Sequence, residues 1–243
     1  MMVQPTSPNE RSFQVHLFDV DNTVVRRTSA WYFIREALNE KLIDFSQVRR
    51  LPFDIIKYKL AIPNNDFIEN TLRKLAGLDK DALERVAETC FQNRIKKNIY
   101  TGAFNLIREL IGKKLCVKFA TSSLDFIIRP LERFFGIEQS LVSEVEFQNG
   151  RTTGSLVGKS FFGPKKKEIT KIWLEKHGLS PCDVTFYSDS YTDIPLLEYC
   201  GNPVAVNPDL ILAHQAKKRG WKILRFNEVL GDLPPEAHSK AVS

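Results

Sequence analysis

Asp19 and Asp21 stand two residues apart at the point where an apolar run, Val15-His16-Leu17-Phe18, gives out. The run reads as a buried strand, and residues i and i+2 of a strand share a face, so both carboxylates address one place. Two acids this close repel unless a cation or a shared proton compensates. Asp and Asn also suit a plain turn for local hydrogen-bonding reasons, so the pair alone does not decide between turn and site. Two later strand ends tip the balance. Thr121, Ser122 and Ser123 follow the apolar run 115–120, and Asp189 and Asp193 follow Val184-Thr185-Phe186-Tyr187-Ser188. In open α/β sheets the ligand site lies beyond the carboxyl ends of the strands. Two acidic strand ends facing a hydroxyl-rich one suit a hard cation and a phosphate. Mg²⁺ prefers carboxylate, carbonyl and water oxygens, while free amides at a helix start bind phosphate. A lysine near the start of the helix predicted over 168–177 would supply the remaining positive charge, with Lys165, Lys166 and Lys167 all available.

The elements that must position these residues follow from changes of hydrophobic period. Between 29 and 94 only helical spacing is found: Trp31, Phe33, Ile34, Ala37 and Leu38; then Phe53, Ile56, Lys57 and Leu60; then Phe67, Ile68, Leu72 and Leu75. Pro63, Asn64 and Asn65 separate two of these stretches, and Gly77 and Asp79 precede a last one through Leu83, Val86, Ala87, Cys90 and Phe91. About four helices with no intervening strand predict a helical insertion. From Tyr100 strands and helices alternate: helix 102–111, strand 115–120, helix 124–135 with Pro130 as a kink, a hairpin of 142–147 and 155–157 about Asn149-Gly150, helix 168–177, strand 184–188, a helix from Asp193 to Tyr199, strand 203–206, helix 210–219 and strand 221–226. This order predicts an α/β fold with a mainly parallel sheet and right-handed crossovers.

With 243 residues the chain can hold a core domain and a smaller insertion, and 43% hydrophobic with 26% charged residues is ordinary for a globular protein. A formal charge of +6 suits an anionic substrate and reads as too diffuse for nucleic acid, so no nucleic-acid partner is expected. Cys90, Cys116, Cys182 and Cys200 are far apart, without metal-ligand spacing, which favours a reducing compartment. Absence of a signal-like N-terminus and of a long apolar run predicts a cytoplasmic protein without a membrane partner. Ser123 reads as a helix cap, His16 as a core residue, and His177 and His214 as exposed.

The ordered set DVDNT, TSS, GPKKKE and YSDSYTD resembles the four motifs of the haloacid dehalogenase superfamily of phosphatases. The insertion after the first motif, with Asn149–Gly154 and Asn202–Asp209, is similar to the phosphoserine phosphatase-like branch with its helical C1 cap. The resemblance implies a Rossmann-like core over 13–28 and 99–230, a helical cap over 29–98, a flexible 1–12 and a loose 231–243. It implies that Asp19 is the nucleophile forming an aspartyl-phosphate and that Asp21 acts as acid and then base. It further implies Mg²⁺ held by the Asp19 carboxylate, the Asp21 backbone carbonyl and Asp189, with Asp193 positioning ligands or waters. Thr121, the Ser122 amide and a lysine best matched by Lys166 would bind the transferring group. The implied activity is Mg²⁺-dependent hydrolysis of a small soluble phosphate ester; phosphotransfer by the same intermediate, and a phospho-accepting receiver-like module, are the alternatives. Relatives of phosphoserine phosphatase type carry an acid nine residues after the nucleophile, where this chain has Thr28, with Glu36 as a substitute acid.

Overall fold

The computed structural model describes residues 15–45, 69 and 72–232. In chain order the elements are β1 (Val15–Phe18), α1 (Ser29–Asn39), α2 (Lys80–Cys90), α3 (Thr101–Gly112), β2 (Cys116–Leu124), α4 (Asp125–Phe135), β3 (Leu141–Ser143), β4 (Val145–Gln148), β5 (Arg151–Leu156), α5 (Pro164–Lys176), β6 (Val184–Ser188), α6 (Ile194–Leu197), β7 (Asn202–Val206), α7 (Leu210–Arg219) and β8 (Lys222–Leu224). Six strands form one parallel sheet in the order β3-β2-β1-β6-β7-β8, and β4 and β5 make a separate antiparallel hairpin.

The sheet is covered on both faces, as an all-parallel sheet must be. Val15 and Leu17 of β1 and Val184 and Phe186 of β6 point into a cluster with Leu174 of α5, Leu196 of α6 and Leu212 of α7. The alternate residues Phe18 and Tyr187 point the other way, their rings stacked at 4.1 Å, into a larger cluster with Phe33 of α1, Val86 of α2, Phe104 of α3 and Phe126 of α4. Burial of each such side chain contributes about 1.5–3 kcal/mol. Strand order reverses between β1 and β6: the chain proceeds outward to β2 and β3 on one side and to β7 and β8 on the other. That switch point leaves a crevice at the carboxyl ends of β1 and β6.

The insertion after β1 is tied at its two junctions. The Val20–Arg26 loop meets the segment 98–100 through Arg26 N–H to Asn98 O at 2.8 Å and Tyr100 N–H to Val24 O at 2.9 Å. Asp79 caps α2 by accepting from Ala82 N–H at 3.0 Å. The helix then widens into a π-helical turn, Phe91–Ile95, which brings Asn93 and Arg94 onto Glu36 of α1. The expected helical residues Phe53, Ile56, Lys57, Leu60, Phe67 and Ile68, the break at Pro63, and residues 1–12 lie outside the described residues, as does the tail beyond 232.

Several boundaries differ from the sequence reading. β2 continues through Thr121-Ser122-Ser123 to Leu124 instead of ending before them. The run 142–147 is two strands: Leu141–Ser143 joins the main sheet against β2, and only Val145–Gln148 enters the hairpin. Asn149 and Gly150 turn it with φ of 51° and 73°, the left-handed pair of a type I′ turn. α4 holds Pro130 within it as expected, while α5 starts at Pro164, four residues before the expected start. The helix after Asp193 is short, a 3₁₀ turn at Tyr191–Asp193 followed by α6. His16 is buried against the Tyr187 hydroxyl at 3.2 Å, and His177 and His214 are exposed. The four cysteines are free thiols. No helix among the described residues is long and apolar enough to cross a membrane.

Candidate active site

Asp19 continues β1 past its last residue: its N–H donates to Tyr187 O at 2.8 Å, which fixes the backbone in the crevice between β1 and β6. The chain then folds back on itself. Val24 N–H and Val25 N–H both reach Val20 O at 2.9 Å, and the buried side chains of Val20, Val24 and Val25 pin this loop into the core. Asn22 takes a left-handed φ of 56°, a conformation Asn tolerates, and its side-chain carbonyl accepts from Arg27 N–H at 3.2 Å. The loop thereby sets Asp21 beside the start of α1, where its Oδ1 accepts the Ser29 N–H at 2.8 Å.

Lys166 is the lysine that enters the crevice. It is 3% exposed, and its Nζ donates to Asp19 Oδ1 and Asp193 Oδ2, each at 2.8 Å. Asp193 also accepts from the Ser188 hydroxyl at 2.7 Å, while its Oδ1 is buried without a partner. Lys165 and Lys167, flanking it on the same helix turn, point elsewhere; Lys167 lies over the Tyr199 ring at 5.4 Å. Three consecutive helical residues cannot share a face, so α5 admits only one of the triplet.

Asp189, at the end of β6, is partly exposed, and its carboxylate has no hydrogen bond or ion pair among the described residues. Thr121 is fully buried, and its hydroxyl accepts from Ser123 N–H at 3.3 Å; Ser122 between them is partly exposed. Ser123 is not the cap of α4, whose N-cap residue is Leu124. Its hydroxyl is 2.7 Å from the Ser29 hydroxyl and donates to Asp21 Oδ2 at 3.4 Å. The sequence reading gave Ser123 only a capping role and gave Ser29 and Ser188 none. The signal for Ser123 is period two: once β2 extends to Leu124, Thr121 and Ser123 share a face. Ser123→Ala is expected to lower kcat about fivefold by freeing Asp21, with the fold intact, as steady-state kinetics beside a melting curve would show.

The electrostatics are those of an acid cluster short of positive charge. Burial pushes the Asp19 carboxyl up to about 7; Lys166 opposes this, and Asp193 and Asp21 add to it. Burial likewise raises Asp21 against the lowering effect of its Ser29 hydrogen bonds. Asp189 is held well above the carboxylate range by burial and by Asp19, Asp193 and Asp21. Burial disfavours the Lys166 ammonium, but Asp19 and Asp193 outweigh it and hold the group charged. Four carboxylates around one ammonium, one carboxylate oxygen orphaned and another carboxylate unpaired, fit a hard divalent cation. Among the described residues no three acidic, His or Cys side chains converge on a point that could hold a metal ion. Asp19 and Asp189 stand at the carboxyl ends of β1 and β6, and a hard cation held by so few protein side chains keeps waters in its shell.

Two residues beyond β7 brace the site. Asn207, with φ 45°, donates from Nδ2 to Asn22 O at 3.4 Å. Asp209 accepts Tyr191 N–H at 2.7 Å and caps α7 through Leu212 N–H at 2.8 Å, joining the Asp189–Asp193 loop to the helix behind it.

Comparison with known proteins places the chain in a family. A family model described as haloacid dehalogenase-like hydrolase matches residues 16–198. The chain is 32% identical over 222 residues to a Neisseria meningitidis protein named histidinol-phosphatase, covering 86% of this chain and 97% of the relative. It is 30% identical over 214 residues to a Mycobacterium tuberculosis protein named phosphoserine phosphatase, covering 86% of this chain and 70% of the relative. A crystal structure of a Bordetella pertussis Tohama I protein of unknown function superposes with a TM-score of 0.77 at 27% identity, covering 86% of this chain and 97% of that one.

Proposed function

The chain belongs to the haloacid dehalogenase-like hydrolases and is a hydrolase of phosphoric monoester bonds, and from that premise we propose that it cleaves a small phosphate ester through an aspartyl-phosphate on Asp19, with Mg²⁺ bound. The observation that carries the reading is the Lys166 bridge: it engages Asp19 Oδ1 and leaves Oδ2 without a hydrogen bond. Oδ2 attacks phosphorus, the ester P–O bond breaks, and Asp21 delivers a proton to the departing alkoxide. Asp21 then takes a proton from the water that attacks phosphorus, the P–Oδ2 bond breaks, and inorganic phosphate leaves. The raised affinity of Asp21 for its proton, set by burial, suits it to the first of these tasks. Ser29 and Ser123 hold its carboxyl in place for both. Thr121 and the Ser122 amide stand at the end of β2, beside β1, and are read as partners of the phosphoryl oxygens. Asp19, the Asp21 carbonyl and Asp189 would hold Mg²⁺, with Asp193 restraining Lys166 and the surrounding ligands. The ion supplies positive charge where phosphoryl oxygens accumulate negative charge.

The insertion between β1 and α3 is read as the cap that selects the substrate. Glu36, which could have replaced the acid missing at Thr28, is buried and committed to Arg94 and Asn93, and its carboxyl is held low by those hydrogen bonds against the effect of burial. A substrate ammonium therefore finds no free acid at either position, which argues against phosphoserine.

Phosphate release from a panel of small monoesters tests the reading. With Mg²⁺ turnover is expected; EDTA is expected to lower it by at least about a hundredfold, and added Mg²⁺ to restore it. Undiminished hydrolysis in EDTA would remove the metal from the account.

A further inference from the structure

Five of the chain's 35 Lys and Arg residues gather around one concavity. A cleft of about 490 Å³ opens beside the Asp21 loop, lined by Arg26, Arg27, Arg35, Arg94 and Lys97 together with Trp31. Arg94 is neutralised by Glu36, and Arg26 lies 3.8 Å from Asp232. Arg27, Arg35 and Lys97 form no ion pair with any described residue. Like charges gathered around one concavity repel, and a bound anion relieves that repulsion. Guanidinium groups are also the side chains best shaped to grip an oxyanion at two points.

The cleft lies along the helix whose first residue touches the catalytic acid. α1 begins at Ser29, whose N–H touches Asp21 Oδ1, and Arg35 follows about 9 Å along the helix axis. Arg26 and Arg27 complete the bridge from the other side, being the residues between the Asp21 loop and that helix start.

We propose that this cleft takes a second oxyanion, a phosphate or carboxylate, carried on the same molecule as the phosphate ester and about 10 Å from it. The inference rests on the phosphatase reading above and names its substrate class: bis-anionic esters with an extended linker lying along Trp31.

A matched pair tests it: hexyl phosphate against the bisphosphate of hexanediol, corrected for its two equivalent ends. In the wild type kcat/KM is expected to favour the bisphosphate about tenfold, the sum of several partly exposed charge contacts, and the preference to shrink as salt is added. It should fall to near one in Arg35→Ala/Lys97→Ala and persist in Arg35→Lys, which keeps the charge. A wild-type ratio near one overturns the inference, as does a ratio that survives the double substitution. A free anion filling the cleft would also leave the two compounds equal. If neither compound is hydrolysed, the phosphatase reading fails on its own. Calorimetric titration then reads the cleft directly. Tighter binding of the bisphosphate, lost in the double variant, retains the inference, and equal binding of the two compounds overturns it.

Discussion

Asp19→Asn is expected to lower kcat by on the order of ten-thousand-fold while leaving the metal-free fold at least as stable as the wild type. The two halves have separate causes. Asn cannot supply the anionic oxygen that attacks phosphorus, so the covalent step is lost. Stability moves the other way because the fold raises the Asp19 carboxyl to about 7, chiefly by burial and then by Asp193 and Asp21 against the pull of Lys166. A folded-state value above the ordinary carboxylate range means that the fold binds this proton more tightly than the unfolded chain does. The stability linked to it is complete at acid pH, below the ordinary carboxylate value, and is lost as pH rises through about 7. Asn has no proton to lose. The melting temperatures of variant and wild type in EDTA should therefore agree near pH 4 and diverge above pH 7 in favour of the variant. A variant less stable at pH 8 would show that the Asp19–Lys166 attraction outweighs the burial of the charge.

Lys166→Met should be inactive and also much less stable, by about 3–5 kcal/mol, because it strands carboxylates that the ammonium had compensated. Methionine approximates the volume of the lysine stem, so packing against Phe161 and Phe186 is not the main loss. Asp193 would keep only the Ser188 hydroxyl on Oδ2, with Oδ1 still unpartnered. Chemical denaturation of Lys166→Met, Asp19→Asn and the double variant closes a cycle. The double variant should be more stable than Lys166→Met alone, since one fewer acid is left uncompensated. Simple additivity would mean that the two side chains are not coupled, against the 2.8 Å contact between them.

Much of the scaffold was legible in the sequence because a parallel sheet writes itself as short apolar runs between helices. β6 and α7 lie where the periodicity places them, Val184–Ser188 and Leu210–Arg219. The positions of Asp19, Asp21, Asp189 and Asp193 in one crevice also followed from the strand ends. Other features depended on geometry that spacing does not encode. Which of three lysines turns inward is set by the direction of α5, which starts after Gly163 with φ 54°. β3 was hidden because Leu141-Val142-Ser143 and Val145-Glu146-Phe147 read as one strand, although Glu144 stands between a main-sheet strand and a hairpin. Ser123 was taken for a helix cap because the strand was read as ended where its polar residues begin, whereas β2 runs to Leu124. The cationic cleft was invisible because Arg26, Arg27, Arg35, Arg94 and Lys97 come from two stretches that only the folded insertion brings together.

The strand order also governs how the protein reaches its native state. β1 sits between β2 and β6, so Val15 finds its two neighbours only at Cys116 and Val184. Loop closure over such separations precedes any reward, which makes formation of the central sheet a slow, non-local event. During synthesis Asp19 and Asp21 leave the ribosome long before Lys166, and until that lysine docks their charges are best left in water. Assembly of the acid cluster is therefore expected to close folding, so that a nascent chain ending before α5 can collect hydrophobic helices without gaining a catalytic centre.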